Sequence, residues 1–173
     1  MERLSEQLAL QGRLICQTAT GTVSGTGAGF DMRDVHQVYA LAHGEASTTS
    51  KSTTTSAKCT TTASTNLTLA ITIQASTAIG FGGTPVAVAS TSQKYSSTVT
   101  ATASAATGKT TATATATINT NLELAVWGSE VQGARAAEDR YVRAIITITG
   151  VKGGAGNESF GIVFADTGRY KPV

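Results

Sequence analysis

Apolar and polar residues alternate one for one along most of this chain, and mostly with small side chains. In the run from Asn66 to Ile73, Leu67, Leu69, Ile71 and Ile73 fall on one face and Thr68 and Thr72 on the other, the period of two of a half-buried strand. Residues 35–42 alternate in the same way. After Gly80-Phe81-Gly82-Gly83-Thr84-Pro85, a turn by composition, Val86 and Val88 open another strand. Residues 98–103 and 110–118 exchange Thr with Ala or Val on either side of Ala105-Ala106-Thr107-Gly108-Lys109, which predicts a β-hairpin. Residues 122–127, 141–149 and 159–165 complete the series, and the glycine-rich stretch 150–157 reads as a long mobile hairpin loop between the last two.

Helical spacing occurs only at the front, where Leu4, Leu8 and Gln11 share one face of residues 1–11. A helix that short is marginal alone, so it reads as an arm that orders against a partner. Residues 21–29 read as a loop from their glycines. The division expected is therefore an N-terminal arm and Gly-rich loop over 1–30, followed by one domain over 31–173. The fold class expected is all-β, a β-sandwich or jelly roll of about 7–9 antiparallel strands with a flexible N-terminal arm. No crossover helices are available for parallel βαβ units. One internal echo stands out, Ser64-Thr65-Asn66-Leu67-Thr68-Leu69-Ala70 against Asn119-Thr120-Asn121-Leu122-Glu123-Leu124-Ala125, and convergent strand chemistry accounts for it more simply than a repeat.

Composition thins this picture. Of 173 residues only 5% are aromatic, and Thr, Ala and Ser carry little apolar area to bury. Such a chain is expected to gain stability from neighbours, either identical subunits or a larger scaffold. The formal net charge of +2 is too small to indicate nucleic-acid binding. Its distribution says more: from Ala46 to Leu122 there is no acidic residue, and the only charges are Lys51, Lys58, Lys94 and Lys109. An uncharged, hydroxyl-rich span suits either contact with other protein or a neutral solvent face. The start lacks the apolar run of a secretory signal, and nowhere do 18 apolar residues follow one another. A soluble protein made in a cytoplasm, with no membrane partner, is expected.

Candidate chemistry is sparse. His36 and His43, with Asp31 and Asp34, are the only cluster resembling metal ligands, and positions seven apart on a strand face opposite sides. Thr107-Gly108-Lys109-Thr110 imitates the end of a phosphate-binding loop, but the earlier glycine is replaced by Ala103 and no helix follows. Gly25-Thr26-Gly27-Ala28-Gly29 fails as a dinucleotide fingerprint for want of a strand-then-helix setting. Glu138, Asp139, Arg140 and Arg143 read as a solvated strand end, with the arginines able to reach a partner's carboxylate. The Thr-x-Thr alternation lacks the repeat period an ice-binding solenoid needs. Cys16 and Cys59 are too few for a disulfide framework, and one bridge between them is left open. Neither an enzymatic constellation nor a cofactor is expected.

From Asp139 the chain reads Asp-Arg-Tyr-Val-Arg-Ala-Ile-Ile-Thr-Ile-Thr-Gly, an Arg-Tyr-x-Arg entry into an apolar/Thr strand that ends in Thr-Gly at 149–150. A glycine-rich loop and Phe160-Gly161-Ile162-Val163-Phe164-Ala165 follow, and Leu67 to Thr77 lies upstream. These segments, about a third of the chain, resemble the capsid cement (decoration) proteins of tailed bacteriophages. An acidic residue and a glycine usual there after Gln-x-Ser-Thr are replaced by Ala78-Ile79-Gly80, and the Thr/Ala region reads as an insertion. The resemblance implies a virion protein on the capsid exterior, made in the host bacterial cytoplasm, that bridges major capsid protein subunits. A homo-oligomer, dimer or trimer, is the expected form, with no nucleic acid partner. The candidate partner-binding residues are Thr98, Thr100, Thr102, Thr111, Thr113 and Thr115 on the supposed hairpin, together with Arg140 and Arg143. The alternatives are a tail-tube, head-tail connector or fibre protein, and a carbohydrate-binding or adhesin sandwich stacking sugars on Trp127, Tyr95 and Tyr141.

Overall fold

A computed structural model of the protein describes residues 8–16, 21–26, 29–31, 37–127, 141–151 and 159–166. They form nine strands: β1 Leu8–Cys16, β2 Gly21–Thr26, β3 Phe30–Asp31, β4 Gln37–Thr54, β5 Lys58–Ser76, β6 Val86–Ser104, β7 Thr110–Trp127, β8 Tyr141–Val151 and β9 Ser159–Asp166. Two sheets result, one in the order β1-β9-β4-β7 and the other β2-β8-β5-β6, with β3 also paired to β8. Every pairing is antiparallel. The all-β, two-sheet class expected from the alternation is what the chain adopts.

Four long strands organise the molecule. β4 and β7 pair without interruption from Gln37↔Trp127 to Thr54↔Thr110, and β5 and β6 pair from Lys58↔Ser104 to Ala75↔Val86. Near one end further strands widen both sheets: β9 and β1 beside β4 at residues 37–44, and β8, β2 and β3 beside β5 at residues 68–76. This is the body. Beyond it, residues 46–54, 58–66, 96–104 and 110–118 continue as two packed two-stranded sheets, a narrow arm about 30 Å long at the rise of a strand.

The side chains inside explain the change in width. In the body Leu67, Leu69, Ile71 and Ile73 of β5 are fully buried with Val142, Ala144, Ile146 and Ile148 of β8 and Val38, Ala40 and Ala42 of β4. In the arm the buried side chains are small: Ala63, Ala114 and Ala116 cluster with Ala101 against them, and Cys59, Thr65 and Ala112 are buried along the same interior. Alanine lets the two layers approach closely but buries little apolar area per residue, so the arm is the weaker part. The internal echo marks the transition. Tyr95, paired with Leu67, donates its hydroxyl to the Asn121 carbonyl at 3.1 Å, which sets the two Asn-Leu steps level on opposite sheets. From there toward the body Leu67 and Leu122 join the main core.

Cys59, in the arm, is 4% exposed, has a free thiol and donates to the Ser52 carbonyl at 3.4 Å. Local opening of the arm alone exposes it. In a Cys16→Ser background, Cys59 is therefore expected to react with a thiol reagent faster than the Leu69 and Ile71 amides exchange with deuterium. Equal rates would mean that arm and body open together.

Several expectations are corrected. Leu8–Gln11 belongs to a strand paired with β9, so the helical reading fails there, and Gly21–Thr26 is strand rather than loop. Residues 1–7 lie outside the described residues. The supposed hairpin over 98–118 is an arch: β6 and β7 lie in different sheets, each paired with another strand. The same holds for β8 and β9, whose connection over 152–158 lies outside the described residues. Long-range partners, not the intervening turn, decide which sheet a strand joins.

Candidate functional site

The outer surface of the arm is a set of hydroxyl ladders. On the first sheet the Thr49 and Thr115 hydroxyls are 3.0 Å apart, as are those of Thr53 and Thr111. On the second, Thr60 meets Thr102 at 3.2 Å, Thr62 meets Thr100 at 3.0 Å and Ser64 meets Thr98 at 3.1 Å. Strict alternation forces this, because Ala-in requires Thr-out on every second position. The six candidate threonines are thus outward-facing but divided. Thr98, Thr100 and Thr102 lie on one face of the arm, and Thr111, Thr113 and Thr115 lie on the other.

The arm's two turns are pinned to one another at its tip. Thr110 donates its hydroxyl to the Ser56 carbonyl at 2.9 Å, and the Ala105 amide donates to the Ala57 carbonyl at 2.9 Å. Gly108, at φ +97°, supplies the left-handed step of the second turn. The phosphate-loop imitation is therefore part of an arch. Lys51, Lys58 and Lys109 sit at or near this end.

Arg143 is occupied within the chain. Its Nε and Nη2 donate to the Gln74 side-chain oxygen at 3.0 and 2.9 Å, and its guanidinium lies 4.4 Å from the centroid of Phe81. Phe81, 7% exposed at φ 51°, anchors a loop held by the Phe81 amide donating to the Ala78 carbonyl at 3.0 Å and the Ala78 amide donating to Ser76 Oγ at 3.2 Å. Gln74→Leu leaves Arg143 without its acceptor. Urea titration is expected to show a loss of about 1–3 kcal/mol, the range for bonds to a charged group. Arg140 lies outside the described residues.

At the junction of arm and body, His43 Nδ1 lies 2.7 Å from Asn121 Oδ1, His43 Nε2 lies 3.6 Å from Glu45 Oε1, and Asn119 donates to Glu45 at 2.7 Å. Among the described residues no three His, Cys, Asp or Glu side chains gather as metal ligands. Asp34 and His36 lie outside them. The three aromatic residues considered for sugar stacking do not come together: Tyr95 is half-buried on the inner side of β6, Tyr141 is on β8 of the second sheet and Trp127 is on β7 of the first. The residue sequence reasoning missed is Tyr39. It is 39% exposed beside Trp127 at 55%, near the body end of the pair that begins Gln37↔Trp127 and continues Tyr39↔Ala125. Its hydroxyl donates to the Gln37 side chain.

No family model and no curated protein matches the chain. Among solved structures, the PBSX exported protein XepA aligns at 11% identity and TM-score 0.44 over 95% of this chain and 38% of its own length. A carbohydrate-binding module specific for non-crystalline cellulose aligns at 10% identity and TM-score 0.27, covering 84% of this chain and 63% of that one. The structure of infectious bursal disease virus, strain Gt, aligns at 12% identity and TM-score 0.21, covering 91% and 40%.

Proposed function

We propose that the chain is a non-enzymatic virion protein of a tailed bacteriophage that binds the capsid exterior and cements contacts between major capsid subunits. The observation that carries this reading is how the cement-like segments fold. β5 and β8 are neighbours, in register from Thr68↔Thr149 to Ser76↔Tyr141, and their apolar faces form the main core. β9, the closing segment, pairs with β4 across the sandwich. The resembling third thus lies within the body, and the Thr/Ala region extends from it as a separate arm. Such a protein works by shape and many weak contacts, amplified when one particle is gripped at several points.

Imaging particles with and without the protein tests this. Density on the outer shell, and heat-labile particles in its absence, are expected. Location in the tail would favour a tube, connector or fibre role instead. The exposed Tyr39 and Trp127 favour a second reading, a sugar-binding face on the body. Glycan-array binding lost in Trp127→Ala would support it.

A further inference from the structure

We propose that the outward face of the body's first sheet, at the end away from the arm, holds a site for a short stretch of neutral glycan, stacked on Trp127 and Tyr39 and hydrogen-bonded to Glu123. The proposal rests on the sugar-binding reading of that face and adds to it the class of sugar and the polar group that selects it.

Register alone gathers these side chains. Gln37 is directly opposite Trp127, Tyr39 opposite Ala125 and Leu41 opposite Glu123, so all six fall on the outer side of β4 and β7. The intervening Val38, Ala40 and Val126 are buried in the core on the other side. Trp127 and Tyr39 are both exposed and stand diagonal to one another across the strand pair. Tyr39 donates its hydroxyl to the side chain of Gln37, two residues back and itself buried, which tethers the phenol toward the Trp127 row. Ala125, beside it, is exposed and small. Trp127 and Glu123 therefore bound an open step on one strand, about 13 Å long at the rise of a strand, with Ala125 as its floor.

Glu123 is the polar group left over. Farther along the same face the polar side chains satisfy one another: His43 Nδ1 meets Asn121 at 2.7 Å, and Asn119 donates to Glu45 at 2.7 Å. Glu123 is exposed and makes no hydrogen bond or ion pair with any described residue. Residues 37–45 and 119–127 hold two acids, Glu45 and Glu123, and no lysine or arginine.

That combination favours a sugar over a protein partner. A protein covering this face would bury a carboxylate for which these strands supply no cation, whereas interface cores are depleted of charge. A pyranose brings an apolar C–H face for the two rings and hydroxyl donors for the carboxylate, whose oxygens accept several hydrogen bonds. Uronic and sialic acids would set their own carboxylate against Glu123 and Glu45 with no countercharge in either strand, so the class selected is neutral. β7 is the last strand of its sheet, which leaves that side of the step open to a longer glycan running past.

A glycan array carrying neutral oligosaccharides beside uronic-acid and sialylated counterparts of similar length, probed with the full chain, tests the proposal. The wild type is expected to bind neutral members at least about tenfold better than acidic ones. Trp127→Ala and Tyr39→Ala are each expected to weaken binding about tenfold, and Thr113→Ala, on the arm, to leave it unchanged. Glu123→Lys is expected to move the preference toward acidic members, a gain that misfolding cannot imitate. Acidic sugars bound as well as neutral ones, with binding still lost in Trp127→Ala, would overturn the neutral-glycan proposal and leave the sugar-binding reading standing. A wild type that binds no glycan overturns both. Binding that survives Trp127→Ala, Tyr39→Ala and Glu123→Lys unchanged lies elsewhere on the chain and overturns the site.

Discussion

Leu69→Ala is expected to cost about 2–5 kcal/mol of unfolding free energy, enough to leave much of a marginal domain unfolded. Leu69 is fully buried, paired with Ile148 across the β5–β8 seam and packed in the larger apolar cluster among the described residues. Truncation there removes apolar contact from both sheets, and strand backbones on either side hold the cavity open. The same exercise in the arm has little to remove. Val99→Ala deletes side-chain carbons already 39% exposed and should shift the monomer's stability by less than about 1 kcal/mol. Denaturant midpoints of the two variants, compared at equal slope, check the contrast. A comparable loss at both sites would mean that the arm, not the body, carries the stability.

Gly150→Ala is expected to cost about 2–4 kcal/mol, far more than an exposed glycine normally would. Gly150 has φ +96°, and a Cβ added there would lie 2.7 Å from the Asn66 carbonyl oxygen, a backbone atom that no rotamer change can move aside. The built-in comparison is Gly108, with φ +97° and nothing within 4 Å of the same position. Gly108→Ala meets the left-handed penalty alone, about 1–2 kcal/mol. The difference between the two variants isolates the steric contact at the point where β8 passes the start of the body. Equal losses would show that Gly150 is constrained by its dihedral only.

These two glycines illustrate what the sequence makes readable. Gly108 lies in a turn that composition marks plainly, whereas Gly150 closes against Asn66, a contact that depends on which strand lies next to β8. The faces of the strands were similarly plain: Leu67, Leu69, Ile71 and Ile73 all point inward, and each of the six candidate threonines points outward. Partners were not. Thr/Ala alternation is equally compatible with a hairpin and an arch, because both place alternate residues on one face and the five-residue turn suits either. The choice is made by β4, whose length was hidden by residues 46–54, too polar to look like a continuing strand. For the candidate site, this split one presumed threonine surface into two. Arg143 was readable only as a charged strand residue: Gln74 precedes the glycine-rich turn and Phe81 lies within it, and the β5–β8 register is what brings both to the guanidinium. Tyr39 was legible as a strand residue. Its proximity to Trp127 depends on a pairing between residues far apart in the chain.

The nesting of the four long strands has a kinetic consequence. β5 and β6 are consecutive and can zip from their own turn, but β4 and β7 must find each other across everything between them, with Gln37 meeting Trp127. Contacts that enclose so much chain form late, because the entropy of closing the loop is lost before any pairing repays it. The inner hairpin therefore waits with its alanine face uncovered until the outer pair clamps over it. During that interval a neighbouring nascent chain can offer the same Thr/Ala strand in place of the proper one, so refolding yield should fall as protein concentration rises.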